Sequence, residues 1–230
     1  MKKLIIRAVT GVAYLSVLAA AFLLSKLVLI TVFTCIMIIA LYEYINLSQK
    51  FPAPKNSRQN FAQKYALPVV WIFIPVVLLE YWCIILNITN IMVALVAILC
   101  TNDTLAYLFG SLLGKHKIWT KVSPKKSWEG FFGGLIFTIA ASWFFIKIPY
   151  FQNDIFTNSF IWMGFAFVVI IAGTFGDFAE SMVKRFAQQK DSGSILPGHG
   201  GILDRIDSML FAVPAGFIYW AIARYFMDLI

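Results

Sequence analysis

The sequence predicts an all-α fold: a polytopic bundle of about seven transmembrane helices with a polar site at its cytoplasmic face. Three observations lead there. Of 230 residues, 60% are hydrophobic and 13% charged, against about 25% charged in ordinary globular domains; mean hydropathy is +0.81. Several apolar runs approach the ~20 residues needed to cross a bilayer, and the alternating pattern of ~10-residue barrel strands is not seen. The basic residues are gathered into four polar segments, as membrane topology demands and a soluble fold does not.

Taken in order, Lys2, Lys3 and Arg7 precede a first span from about Ala8 to Leu24. Ala19, Ala20 and Ala21 resemble a signal-peptide cleavage region, but the further spans favour an uncleaved helix. A break at Ser25–Lys26 leads to a second span, about Leu27 to Leu47, with Glu43 near its end and no role assigned to it. Gln49 to Lys64 reads as a polar linker. The third span, about Tyr65 to Leu86, carries Pro68 and Pro75, which predict kinks of the kind membrane helices tolerate. The fourth, about Ile91 to Leu113, contains Asn102 and Asp103; Asp103, Tyr107 and Gly110 share one side at helical spacing.

A second polar block, Lys115 to Gly130, holds five lysines. The fifth span covers about Phe131 to Pro149. Tyr150 to Ser159 has the acid Asp154 and no base. The sixth span starts near Phe160 and runs into Asp177 and Glu180; the seventh extends from about Ile206 to Met227. Cys35, Cys83 and Cys100 are odd in number, lack metal spacing and fall in apolar runs, so they read as packing residues. No separate soluble domain is evident: the chain reads as one integral-membrane domain over 1–230, with N-terminal spans to 90 and the chemistry in 91–230.

Alternating the spans from an inside N-terminus puts the N-terminus, the Gln49–Lys64 linker, the Lys115–Gly130 block and the Ser181–Arg205 loop on one side. These hold 16 of the 19 lysines and arginines, which places them in the cytoplasm; the membrane expected is a bacterial inner (plasma) membrane. The formal charge of +8 is then a topology signal and implies no nucleic acid.

The polar stretch Ser181 to Asp207 carries the candidate chemistry. Asp177 and Glu180 precede it, and Asp204 and Asp207 end it; each acidic pair is spaced i, i+3 and shares a helix face if its flank is helical. Gly193, Pro197, Gly198, Gly200 and Gly201 predict a loop between two helices. Acids inside a membrane helix cost roughly 2.5–3.5 kcal/mol each at its centre, so a cluster of them argues for a shared wet pocket. Carboxylates of this kind suit Mg2+, which binds a few of them together with substrate phosphates. Lys184, Arg185, Lys190 and Arg205 would face those phosphates. The alternative reading is a set of salt bridges on a wetted face.

The residues Ser181, Lys184, Arg185, Lys190, Asp191, His199, Gly200, Gly201, Asp204, Arg205 and Asp207 resemble, in register, the signature of the phosphatidate cytidylyltransferase (CDP-diacylglycerol synthase) family. Ser123–Pro124–Lys125–Lys126–Ser127–Trp128–Glu129–Gly130 resembles a second family feature, and Asn102–Asp103 with Ala106, Tyr107 and Gly110 a third. The resemblance covers roughly the C-terminal 60% of the chain; family members commonly carry eight or nine spans. It implies a membrane nucleotidyltransferase that converts CTP and phosphatidic acid into CDP-diacylglycerol and pyrophosphate. It further implies Mg2+, a second monovalent cation such as K+, and membrane lipid as surroundings; a homodimer is compatible with it.

On this resemblance Asp177, Asp204 and Asp207 are the first choices for metal, followed by Glu180 and Asp103. Lys184 and Arg185 join the three aspartates as catalytic candidates. Lys125, Lys126, Lys184 and Arg185 would hold the triphosphate or the lipid head group, with Ser123, Lys190, His199, Gly200, Gly201 and Arg205 around them. Ser123 and Ser127 equally suit turn or cap positions, and Trp128 suits an interfacial anchor or a cytosine stacker. The same residues fit other membrane transferases, of the CDP-archaeol synthase or lipid kinase type. The D-G-x-x-A-R pattern of CDP-alcohol phosphotransferases is absent. An ion transporter would put acids near the midplane; here they cluster toward one face.

Overall fold

The computed structural model describes residues 2–53, 56–151, 158–198 and 200–227. Its elements are α1 (Lys2–Leu23), α2 (Lys26–Ser48), α3 (Ser57–Phe61), α4 (Ile74–Ile84), α5 (Thr89–Leu113), β1 (Lys117–Trp119), β2 (Ser123–Ser127), α6 (Trp128–Phe145), α7 (Ser159–Phe186) and α8 (Leu203–Met227). Among the described residues six helical stretches are long and apolar enough to cross a membrane, so the protein is an integral membrane α-helical bundle. The described apolar part of α1, Val9–Leu23, is shorter.

The third span is not one regular helix. Two π-helical turns, Ala62–Ala66 and Val69–Phe73, join α3 to α4. Proline explains the wider register, because it offers no N–H to the helical ladder. The Leu67 amide donates to the Ala62 carbonyl five residues back. In that register the donor due to Gln63 would be Pro68, which has none. The buried Tyr44 hydroxyl donates to the Gln63 carbonyl instead, at 2.7 Å. The helix also begins eight residues before the expected Tyr65, with the Asn56 side chain accepting from the Gln59 amide at 2.8 Å, so half of the expected linker is helical.

The lysine-rich block folds as an antiparallel hairpin, pairing Lys117 with Ser127 and Trp119 with Ser123, a small β addition to the all-α expectation. Ser127 then caps α6, its hydroxyl accepting from the Gly130 amide at 3.2 Å. Glu129 in the first turn accepts from the His116 amide at 3.1 Å and meets its ring at 2.6 Å.

The chain divides into two compact units. The first comprises Met1–Thr89 and Ala179–Leu210, the second Asn90–Phe178 and Phe211–Ile230. In the first, α2 packs against α1 and α4 through Leu29, Phe33, Ile36, Ala40, Glu43, Tyr44 and Leu47, a stripe at helical spacing. In the second, α5 and α6 meet through small residues: a Cβ on Gly130 would lie 2.7 Å from the Ala106 carbonyl oxygen, and one on Gly134 2.9 Å from the Ala106 Cβ. Close approach through small side chains is how membrane helices gain contact without a hydrophobic drive between them. The buried Trp162 indole donates to the Ser142 carbonyl at 2.7 Å, satisfying one of the acceptors left open at the end of α6. Cys83 is buried as expected of a packing residue, whereas Cys35 and Cys100 are exposed.

Candidate active site

The helices extend far enough to make both acidic pairs helical. α7 carries Asp177, Glu180, Lys184 and Arg185, and α8 starts at Leu203, so Asp204 and Asp207 lie in its first turns. α7 ends in a closed turn. The Gln189 amide donates to the Lys184 carbonyl at 2.8 Å and the Gln188 amide to Arg185 at 2.9 Å, with Gln188 at φ +56. That is the Schellman pattern. The Arg185 guanidinium donates to the Gln189 carbonyl at 3.1 Å.

In the first unit Lys184 is the centre of a buried charge cluster. Its ammonium pairs with Glu180 and, at 2.7 Å, with Asp204 Oδ1. The Glu180 side chain is 1% exposed and that of Asp204 8%. Asp204 also accepts from the Ser192 amide at 3.0 Å and from the Gly201 amide at 2.8 Å. Both of its oxygens therefore already serve protein donors. The Asp207 carboxylate accepts from the Ser208 amide at 2.7 Å.

The loop returns tightly. Leu196 and Gly200 form a bridge, with the Leu196 amide donating to the Gly200 carbonyl at 3.0 Å. Gly198 and Gly200 have φ +79 and +84, a region that side chains disfavour. A Cβ on Gly200 would also lie 2.7 Å from Asp204 Oδ2. A Cβ on Gly201 would meet the Ser192 hydroxyl and the Glu43 carboxylate. His199 lies outside the described residues.

The second unit holds another cluster. Lys126 Nζ sits 2.5 Å from Asp177 Oδ2 and 4.3 Å from the Phe178 ring centre, within cation–π range. Asp103 lies in electrostatic range of both Asp177 and Lys126. Lys125 is exposed and not part of the cluster; its carbonyl accepts from Lys117 Nζ at 3.5 Å. Ser123 is half-buried in β2, while Lys190 and Arg205 are exposed. Trp128 is 46% exposed and stacks on Phe132 with ring centres 5.7 Å apart. Among the described residues no three His, Cys, Asp or Glu side chains converge closely enough to hold a metal ion by themselves.

One residue of the first cluster had no expected role. Glu43 on α2 is 2% exposed. It accepts from the Ser192 hydroxyl at 3.1 Å, the Ile202 amide at 3.1 Å and the Leu203 amide at 2.9 Å. The sequence did carry a signal for it. Glu43 falls in register with Leu29, Phe33, Ile36, Ala40 and Leu47, and an acid on a buried stripe needs donors from elsewhere.

Comparison with known proteins adds to this geometry. The model of a cytidylyltransferase family matches residues 52–223. The phosphatidate cytidylyltransferase of Staphylococcus aureus (strain COL) is 47% identical over 113 residues, covering 49% of this chain and 42% of that protein. Proteins of the same name from Staphylococcus haemolyticus and Staphylococcus epidermidis are 46% and 45% identical over the same length and shares. The chain thus aligns with less than half the length of these relatives.

Proposed function

The chain belongs to the cytidylyltransferase family, and we propose that it catalyses cytidylyl transfer from CTP to phosphatidic acid, yielding CDP-diacylglycerol and pyrophosphate. One observation carries this reading. The family match includes the polar stretch 181–207, and there the structure buries a lysine between two carboxylates inside an apolar helical protein. The relatives' name supplies the substrate pair.

The chemistry asks little covalent work of the protein. A phosphate oxygen of phosphatidic acid attacks the α-phosphorus of CTP, the new P–O bond forms, and the bond to the β-phosphate breaks as pyrophosphate leaves. The protein must position the two anions and neutralise charge in the transition state. Lys184 suits this. Its ammonium pairs with Glu180 and donates to Asp204, so it is held rigidly while its remaining N–H donor capacity can serve a phosphate oxygen. Lys126 has the same character, fixed by Asp177 and the Phe178 ring. Arg185, Lys190, Arg205 and Lys125 supply further positive charge at exposed positions.

Mg2+ belongs to the proposal, and the donor set fits it in kind: oxygen ligands only, in pairs rather than in a closed cage, as expected where substrate phosphates complete the shell. Asp103 and Asp177 are the pair whose chemistry fits best. Glu180 and Asp207 are alternatives, and Asp204 is occupied by three protein donors. The bound cation would neutralise the triphosphate and the leaving pyrophosphate. A K+ ion is part of the same expectation, without a donor set that singles it out. The cytoplasm supplies CTP, so the loops at 114–127 and 187–202 face it, in a bacterial inner membrane.

The test is incubation of purified protein with CTP, phosphatidic acid and Mg2+ and identification of the lipid product. CDP-diacylglycerol formed with equimolar pyrophosphate is the expected result. Turnover with ATP to a phosphorylated lipid, or none with any CTP and phosphatidic acid pair, would overturn the reading.

A further inference from the structure

Glu43 lies outside the residues 52–223 that match the family, yet its carboxylate meets three donors of the 187–203 segment. Two are the Ile202 and Leu203 amides at the start of α8. The first amides of a helix have no intrahelical acceptor, and an anion there is favoured by the helix dipole. The third donor is the Ser192 hydroxyl. Ser192 is shared, because its backbone amide donates to Asp204, which in turn holds Lys184.

The fit leaves no slack. A Cβ on Gly193 would meet the Glu43 Oε1, with Cδ at 2.8 Å and Cγ at 3.1 Å; one on Gly201 would meet Ser192 Oγ and both Glu43 oxygens. A second tie reaches the same loop from α1, where the Thr10 hydroxyl donates to the Pro197 carbonyl at 3.1 Å.

We infer that Glu43 is a positioning residue: its carboxylate fixes the return of the signature loop and the first turn of α8, and so sets where Asp204 and Lys184 stand. Charge is essential to this role. A carboxylate can accept from all three donors, whereas a carboxamide of the same shape has one acceptor oxygen and would aim its own N–H groups at backbone N–H groups. Glu43→Gln therefore separates positioning from packing. A packing role predicts a normal enzyme. A positioning role predicts loss.

The inference rests on the proposed cytidylyl transfer for one of its two readouts. In that assay Glu43→Gln should lower kcat by about tenfold or more, the loss expected for hydrogen bonds to a charged group. KM for phosphatidic acid should change by less than about threefold, since the interactions lost act in the transition state. The second readout is independent of activity. Amide exchange at Ile202 and Leu203 should accelerate in Glu43→Gln while exchange in the buried part of α5 does not. Glu43→Asp, which keeps the charge, should recover part of both. Gly193→Ala should mimic Glu43→Gln in the wild-type background and add nothing in a Glu43→Ala background. Wild-type kcat together with wild-type exchange in Glu43→Gln would overturn the inference, as would a defect wholly explained by a lower folded fraction. If the wild-type protein makes no CDP-diacylglycerol, the proposed function fails, and the exchange result still decides the role of Glu43.

Discussion

Lys125 and Lys126 are adjacent in sequence and chemically identical, yet the fold gives them different work. Lys126 is fixed between Asp177 and the Phe178 ring, while Lys125 extends from β2 into the exposed surface. A solvated lysine contributes little to a specific contact, and a preorganised one contributes more. Lys126→Ala should lower kcat/KM by about ten- to a hundredfold, the equivalent of roughly 1.5–3 kcal/mol for a charge-assisted contact. Lys125→Ala should cost no more than about fivefold. Steady-state kinetics with CTP varied checks both, and equal losses would mean that the hairpin acts only through its total charge. Asp204→Asn belongs to the same scale. It retains size but cannot accept from Lys184, Ser192 and Gly201 together, so turnover should fall by orders of magnitude while the helices stay folded in detergent.

At the scale of the element, the π-helical passage through Ala62–Phe73 is stabilised from outside itself. Proline removes the donor that Gln63 would use, and Tyr44 replaces it. In lipid an unmet carbonyl is costly because water cannot substitute. Tyr44→Phe should destabilise the protein by about 1–2 kcal/mol, measured by denaturant unfolding in detergent. Pro68→Ala restores a backbone N–H, so Tyr44→Phe should cost distinctly less in that background. Equal costs in both would show that the hydroxyl is not compensating for the proline. The proline signal was legible in the sequence as an irregularity, but its form was not, because a kink and a widened turn need the same residue. The hairpin at Lys117–Ser127 was missed for a related reason: a lysine-rich strand three to five residues long carries no hydrophobic alternation to mark it.

At the scale of the whole molecule, alternation of spans puts residues 57 and 194 on the basic side and residue 150 on the other. Ser192 is buried against Glu43 and would label poorly, whereas Ser57, Ser194 and Tyr150 are exposed. Single cysteines at Ser57 and Ser194 should react with an impermeant thiol reagent from the cytoplasmic side, and one at Tyr150 only from the opposite side. Labelling of positions 150 and 194 from the same side would sink the topology. This expectation holds whether or not α1 crosses the bilayer, because the relative sides of the later loops do not depend on it.

By itself the sequence determined that this is a helical membrane protein and singled out the stretch 177–207 as the main carrier of its candidate chemistry. Hydropathy acts over about 20 consecutive residues, and the signature residues lie within one short stretch, so both are local properties that a linear reading can reach. The partners of the charges were decided only by the tertiary structure. Lys184 is shared by Glu180, four residues away, and Asp204, twenty away; only the first pairing follows from helical spacing. Glu43 meets donors 149 to 160 residues distant. A buried carboxylate is tolerated only where donors converge on it, and which donors those are depends on how α2 packs beside the start of α8 within the first unit, a relation that no local pattern encodes.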